Sequence, residues 1–167
     1  MGVQGVAAIA DAGPLIHLYE ADQLKLLKLF STVHVPDMVW REATESGRVP
    51  EGAFLGVPVI LRHGSAPGDW RNKERFPQLH SGEREALRVC EELGIALLLT
   101  DDLAARKAAI GAGVTPVGSV GIIAKSQVAG TIDFTEAERA LRELYDTSSL
   151  FVSKAIIEGA IDALRVL

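Results

Sequence analysis

The residues of this chain best suited to chemistry are acids that follow short apolar runs. Asp11 closes the run at residues 5–10, and Asp101 and Asp102 come after Thr100 at the end of the run at residues 95–99. Glu83 opens a helical pattern that begins near Ser81, and Glu42 lies within another, three residues after Val39. Each also has an ordinary structural duty open to it. Aspartate between a strand and a helix is a favoured N-cap, and glutamate in a first helical turn suits the helix dipole. Glu42 reads equally well as part of a solvated helix face. Two capping sites that project into one crevice tip the balance toward function. Carboxylates gathered in a confined cleft repel one another by roughly several kcal/mol unless cations or protons neutralise them. An all-oxygen donor set selects Mg²⁺ or Mn²⁺. An ion of that kind can polarise a phosphodiester and lower the pKa of a bound water, so metal-assisted phosphodiester hydrolysis is the chemistry this pattern suits.

The elements that must position these acids alternate along the chain. Residues 5–10 read as a strand, and Gly13-Pro14 opens residues 15–20, which look like a buried strand turning into a helix. Leu24, Leu27 and Phe30 continue with helical spacing. Residues 33–35 are extended, Pro36 suits the first position of a helix through Val39, Trp40 and Ala43 toward Gly47, and residues 57–61 are strand-like. Residues 62–79 form the longest connection, broken by Gly64, Pro67, Gly68 and Pro77. A helix from Ser81 carries Ala86, Leu87, Cys90 and Leu93 on one face and stops at Gly94. The run at 95–99 has no polar alternation, as expected of a parallel strand covered on both faces. Residues 103–112 are helical, 114–117 can form a strand, and Ser119 can cap a helix through Ile122 and Ile123. Two amphipathic helices follow, one with Phe134, Ala137, Leu141 and Leu144, the other with Val152, Ala155, Ile156, Ala160, Ala163 and Leu164. The expected fold is a three-layer α/β/α sandwich around a parallel sheet of four to five strands, with additional C-terminal helices. In such sheets sites form at the carboxyl ends of strands, where these acids fall.

Composition sets the frame. With 167 residues and 48% hydrophobic content the chain suits a single domain, 1–167, in which 131–167 is a two-helix extension. No apolar run is long enough to span a membrane and residues 1–10 lack a basic leader, so a soluble, cytoplasmic protein is expected. Cys90 is the only cysteine, which excludes an internal disulfide, and His17, His34, His63 and His80 lack the spacing of a zinc site. A net charge of −5 argues against holding nucleic acid by bulk positive charge, so local basic groups or metal would be needed. Arg106 and Lys107, one helical turn after the aspartate pair, can touch phosphate or pair with Asp101 or Asp102. Arg71, Lys73 and Arg75, with Trp70 and Phe76, can meet phosphates and stack bases, although a solvated loop with two anchoring aromatics accounts for them better.

Five segments stand in order along the chain: Asp11-Ala12-Gly13-Pro14-Leu15-Ile16, the segment from Val35 to Glu42, the segment from Ser81 to Leu87, Leu98-Leu99-Thr100-Asp101-Asp102 and Val117-Gly118-Ser119-Val120-Gly121. This ordered set resembles PIN domains, especially the prokaryotic subgroup close to VapC-type toxin ribonucleases. The resemblance implies that Asp11, Glu42, Glu83 and Asp102 form a metal-binding catalytic quartet, with Asp101 a possible substitute. It implies Mg²⁺ or Mn²⁺, water activated for endonucleolytic cleavage of RNA, an antitoxin protein as inhibitor, and a homodimer. Three features depart from the pattern. Ala12 stands where many relatives carry Thr or Ser, Glu83 is longer than the Asp often found there, and 131–167 extends past the compact core. Two other classes compete. One is a PIN-like module that binds nucleic acid or protein without cutting. The other, a phosphoacceptor receiver domain, needs a pair of acids after its first strand, whereas Ala12 and Gly13 follow Asp11.

Overall fold

Short runs of small and branched apolar residues build the sheet. A computed structural model describes residues 4–64 and 74–167. Its strands are β1 (Ala7–Ala10), β2 (Thr32–Pro36), β3 (Ile60–His63), β4 (Leu97–Leu99) and β5 (Thr115–Val117), all paired in parallel in the order β3-β2-β1-β4-β5. Ala8, Ile9, Ala10, Leu98 and Leu99 have no exposed surface, which explains why the central strands show no polar alternation. The chain leaves β1 for β2 and β3 on one side, then returns to β4 on the other. The crevice above β1 and β4 is therefore the switch point of the sheet.

Helices cover both faces, because successive strand residues point to opposite sides. Ile9 and Leu98 pack with Ala86, Leu87, Val89 and Cys90 of α4 (Ser81–Leu93) and with Ala105 and Ala109 of α5 (Leu103–Gly111). Ala8, Ala10, Leu97 and Leu99 belong to the opposite core. That core includes Leu15 and Leu18 of α1 (Ala12–Glu20), Val39 and Trp40 of α2 (Asp37–Glu45), and Ile122 and Ile123 of α6 (Ser119–Val128). Leu141 and Leu144 of α7 (Phe134–Thr147) and Ile157 and Ile161 of α8 (Lys154–Arg165) share the same cluster, so the last two helices are built into the layer that holds α1. No helix among the described residues is long and apolar enough to cross a membrane.

Local chemistry moves several boundaries from their expected places. Asp11 caps α1, so Gly13 and Pro14 already lie in its first turn, where proline's missing N–H costs nothing. Residues 24–29 form a 3₁₀ helix, Leu24–Leu29. Pro36 pairs with His63 as the end of β2 and serves as the N-cap position of α2, not its first residue. A short helix, α3 (Glu51–Leu55), was not foreseen, and Val57 closes it by donating its N–H to Phe54, which delays β3 to Ile60. Ile95 closes α4 by bonding to the Cys90 carbonyl after left-handed Gly94, so β4 starts only at Leu97. Ser119 is the first residue of α6, whose cap position is Gly118.

Candidate functional site

Asp11 stands one step past the end of β1, where its N–H donates to the Leu99 carbonyl at 2.8 Å. Its Oδ1 accepts the Ala12 N–H at 2.8 Å as the cap of α1, and its Oδ2 accepts the Thr100 hydroxyl at 3.0 Å. The same Thr100 oxygen accepts the N–H of Asp102 at 3.2 Å. Thr100 is wholly buried and thus ties the two strand ends together through one hydroxyl. Asp102 caps α5, its Oδ1 accepting the Ala105 N–H at 2.8 Å. Both aspartates are N-caps, and both stand at the carboxyl ends of the neighbouring strands β1 and β4. The structural duty weighed in the sequence, capping the helix that follows the strand, is met by both side chains.

Two helices bring the glutamates. Glu83 is the third residue of α4 and closes a capping box, its Oε2 accepting the His80 N–H at 2.9 Å. Glu42 lies on α2, which packs on α4 so closely that a Cβ on Gly82 would stand 3.1 Å from Glu42 Oε2. Burial pushes the Asp11 carboxyl up to about 7. The hydrogen bonds from Ala12 and Thr100 oppose that rise, and the nearby charges of Glu83 and Glu42 add to it. Burial also raises Glu83, against the stabilising His80 N–H, with Asp102 and Glu42 adding repulsion. The four acids therefore share one electrostatic field, which a cation or a proton relieves. Among the described residues, no three His, Cys, Asp or Glu side chains are drawn close enough to hold an ion as they stand. Three of the four acids are held by capping bonds, and Glu42 is exposed on its helix.

Asp101 faces elsewhere. It accepts the N–H and hydroxyl of Ser119 at 2.7 and 2.6 Å, and His17 Nδ1 donates to its Oδ2 at 2.7 Å. A Cβ on Gly118 would fall 2.7 Å from Asp101 Oδ1, so this contact requires glycine. Gly118 has no side chain with which to cap α6, and Asp101 supplies the missing acceptor. Arg106 Nη1 donates to the Thr100 carbonyl at 3.4 Å, beside the same glycine. Lys107 is exposed, and neither residue is ion-paired with Asp101 or Asp102 among the described residues. Trp70, Arg71 and Lys73 lie outside the described residues. Arg75 pairs with Glu91 and covers the buried ring of Phe76 at 4.9 Å, as an anchoring aromatic would.

Sequence reasoning passed over Thr100, His17, Ser119 and Gly82 as site residues. The available signals were Thr100 placed between the two strand ends and the helix start at Gly118, which cannot cap itself. Beside Glu42 opens a groove of about 510 Å³, lined by Met38, Arg41, Glu42, Glu45, His80 and Gly82 among others.

The family model described as DUF3368: PIN domain matches residues 7–165. Among solved structures the fold is similar to that of a PilT N-terminus domain protein, SSO1118, from the hyperthermophilic archaeon Sulfolobus solfataricus P2. The match has 19% identity and a TM-score of 0.53, covering 72% of this chain and 93% of that one. No curated protein matches.

Proposed function

From the premise that the chain belongs to the PIN-domain family, we propose that it is a divalent-metal-dependent endoribonuclease whose site is the crevice above β1 and β4. The observation that carries this reading is the buried Asp11 carboxyl, raised to about 7 in the field of Glu83 and Glu42 and joined to Asp102 through Thr100. The donor set fits Mg²⁺ or Mn²⁺: hard carboxylate oxygens whose mutual repulsion a small dication relieves. Asp11, Glu42, Glu83 and Asp102 would hold such an ion, and it would supply polarisation of a phosphodiester and a lowered pKa for water.

The protein's own residues do the rest. Thr100 fixes Asp11 Oδ2 by donating to it, and the cap at Ala12 fixes Oδ1, so this carboxylate enters the reaction already oriented. Asp102 uses Oδ1 to cap α5 and is exposed, so its carboxylate is accessible to an ion. Arg106, which donates to the Thr100 carbonyl at the end of β4, would steady a substrate phosphate. RNA as substrate, an antitoxin protein as inhibitor, a homodimer as the working form and a toxin role belong to this proposal on the strength of the sequence resemblance to VapC-type proteins.

Single-stranded and structured RNAs incubated with purified protein and Mn²⁺ test the core of it. Cleavage by the wild type and a loss of about a hundredfold or more in Asp11→Asn are expected. Equal behaviour of the two proteins rejects the assignment. A second reading, a PIN-like module that binds without cutting, draws on the separation of the acids among the described residues and on the absence of a hydroxyl at Ala12. Calorimetry that finds RNA or protein binding but no heat from divalent metal favours it.

A further inference from the structure

Helix α2 begins without a side chain of its own to cap it. Pro36, at the cap position, offers no side-chain acceptor. Asp37, in the first turn, is drawn off by Arg41 at 3.0 Å and by Arg62 Nε at 2.7 Å. The free amides of a first helical turn need acceptors from somewhere. Here one comes from another helix: Glu85 Oε2 of α4 accepts the Met38 N–H at 2.9 Å. Glu85 is 7% exposed, and its other oxygen stands 3.6 Å from Arg88. It lies two residues after Glu83.

This bond is one of the contacts that set how the helices cross. Another is the close approach of Glu42 to Gly82. Met38 and Glu42 are one turn apart on α2, and Gly82 and Glu85 are one turn apart on α4, so each pair shares a face. The partners run in opposite directions, which fixes an antiparallel register at two points. The core contacts of Val39, Trp40 and Ala43 hold α2 as a whole, so loss of the first point loosens its N-terminal turn against α4, the turn from which Glu42 follows. We infer that Glu85 is a positioning residue: by capping α2 from α4 it sets where Glu42 stands relative to Glu83, and through that the affinity of the acidic cluster for a divalent cation. The inference rests on the metal-dependent reading above.

Two conservative variants separate reach from charge. Glu85→Gln keeps the acceptor oxygen in place and drops the charge, whereas Glu85→Asp keeps the charge and falls one methylene short of Met38. Titration calorimetry with Mn²⁺ is expected to find Glu85→Gln near the wild type and Glu85→Asp about tenfold weaker, the usual scale for a lost outer-shell partner. Amide exchange at Met38 is expected to accelerate in Glu85→Asp and not in Glu85→Gln. A Glu85→Asp protein that binds Mn²⁺ like the wild type, or a Glu85→Gln protein as weak as Glu85→Asp, overturns the inference. Should the wild type bind no Mn²⁺, the proposed function falls by itself. The Met38 exchange rates then decide the positioning claim, and equal rates in the two variants overturn it.

Discussion

Asp11 carries opposed demands. Burial raises its carboxyl to about 7, well above its ordinary 3.8, so in the metal-free protein the folded state keeps a proton that the unfolded chain has already released. Between about pH 4 and pH 7 the folded state therefore binds more protons, and stability falls as pH rises through that window. Glu83, also raised, acts in the same direction. Glu20 is lowered and loses its contribution only below the ordinary carboxylate range, outside this window. His34, lowered by burial and by His63, acts in the opposite direction inside it and offsets part of the effect. The melting temperature of metal-free protein is thus expected to drop between pH 5 and pH 7.5. Asp11→Asn should flatten that slope, and Mn²⁺ at pH 7.5 should recover the lost stability by binding only the folded state. A wild-type profile as flat as the variant's would contradict the placement of Asp11. Thr100→Val removes the hydroxyl that lowers the Asp11 pKa and leaves an Asp11 oxygen and the Asp102 N–H without this partner. A stability loss of about 1–3 kcal/mol, measured by urea denaturation, is expected. At neutral pH its Mn²⁺ affinity should also fall.

At the scale of elements, the site is a set of helix starts. Asp11, Glu83 and Asp102 cap the helices they open, while Asp101 and Glu85 cap helices they do not belong to. This is why the acids were legible in the sequence and why their division of labour was not. A strand followed by aspartate announces both a cap and a strand end, so Asp11 and the aspartate pair stood out. Which member of the pair is tied up elsewhere depends on Gly118 and Ser119, residues of another strand–helix turn, and on His17. No periodicity joins them to position 101. Asn is as good a cap as Asp, so Asp102→Asn is expected to keep its melting temperature and lose Mn²⁺ affinity. Asp101→Asn, which surrenders the charge facing His17 and Ser119, should do the reverse, with about 1–3 kcal/mol lost in stability. Melting curves and calorimetry on the two variants check both halves. Helix α3 escaped notice for a simpler reason: at five residues it is too short to show amphipathic spacing, and its anchors are the buried ring of Phe54 and a bond from Trp40 Nε1 to Glu51.

For the whole molecule, topology does what sequence distance conceals. Residues 11 and 100 lie far apart along the chain and adjacent in space because β1 and β4 are neighbours at the point where the strand order reverses. Alternating strands and helices announced a three-layer fold, but strand order rests on contacts such as Ile9 with Leu98 that no local pattern encodes. The C-terminal helices likewise read as an addition to a compact core, whereas Leu141, Leu144 and Ile161 are fully buried within the layer that carries α1 and α6. They support the helix whose first turn Asp11 caps. With a net charge of −5 and carboxylates at these strand and helix ends, the proposed function needs a cation in the crevice before a phosphodiester can approach. Anomalous diffraction from crystals soaked in Mn²⁺ addresses this most directly: a peak between the carboxylates of Asp11 and Asp102 is predicted, and a fully soaked crystal with no peak in that crevice would contradict the account.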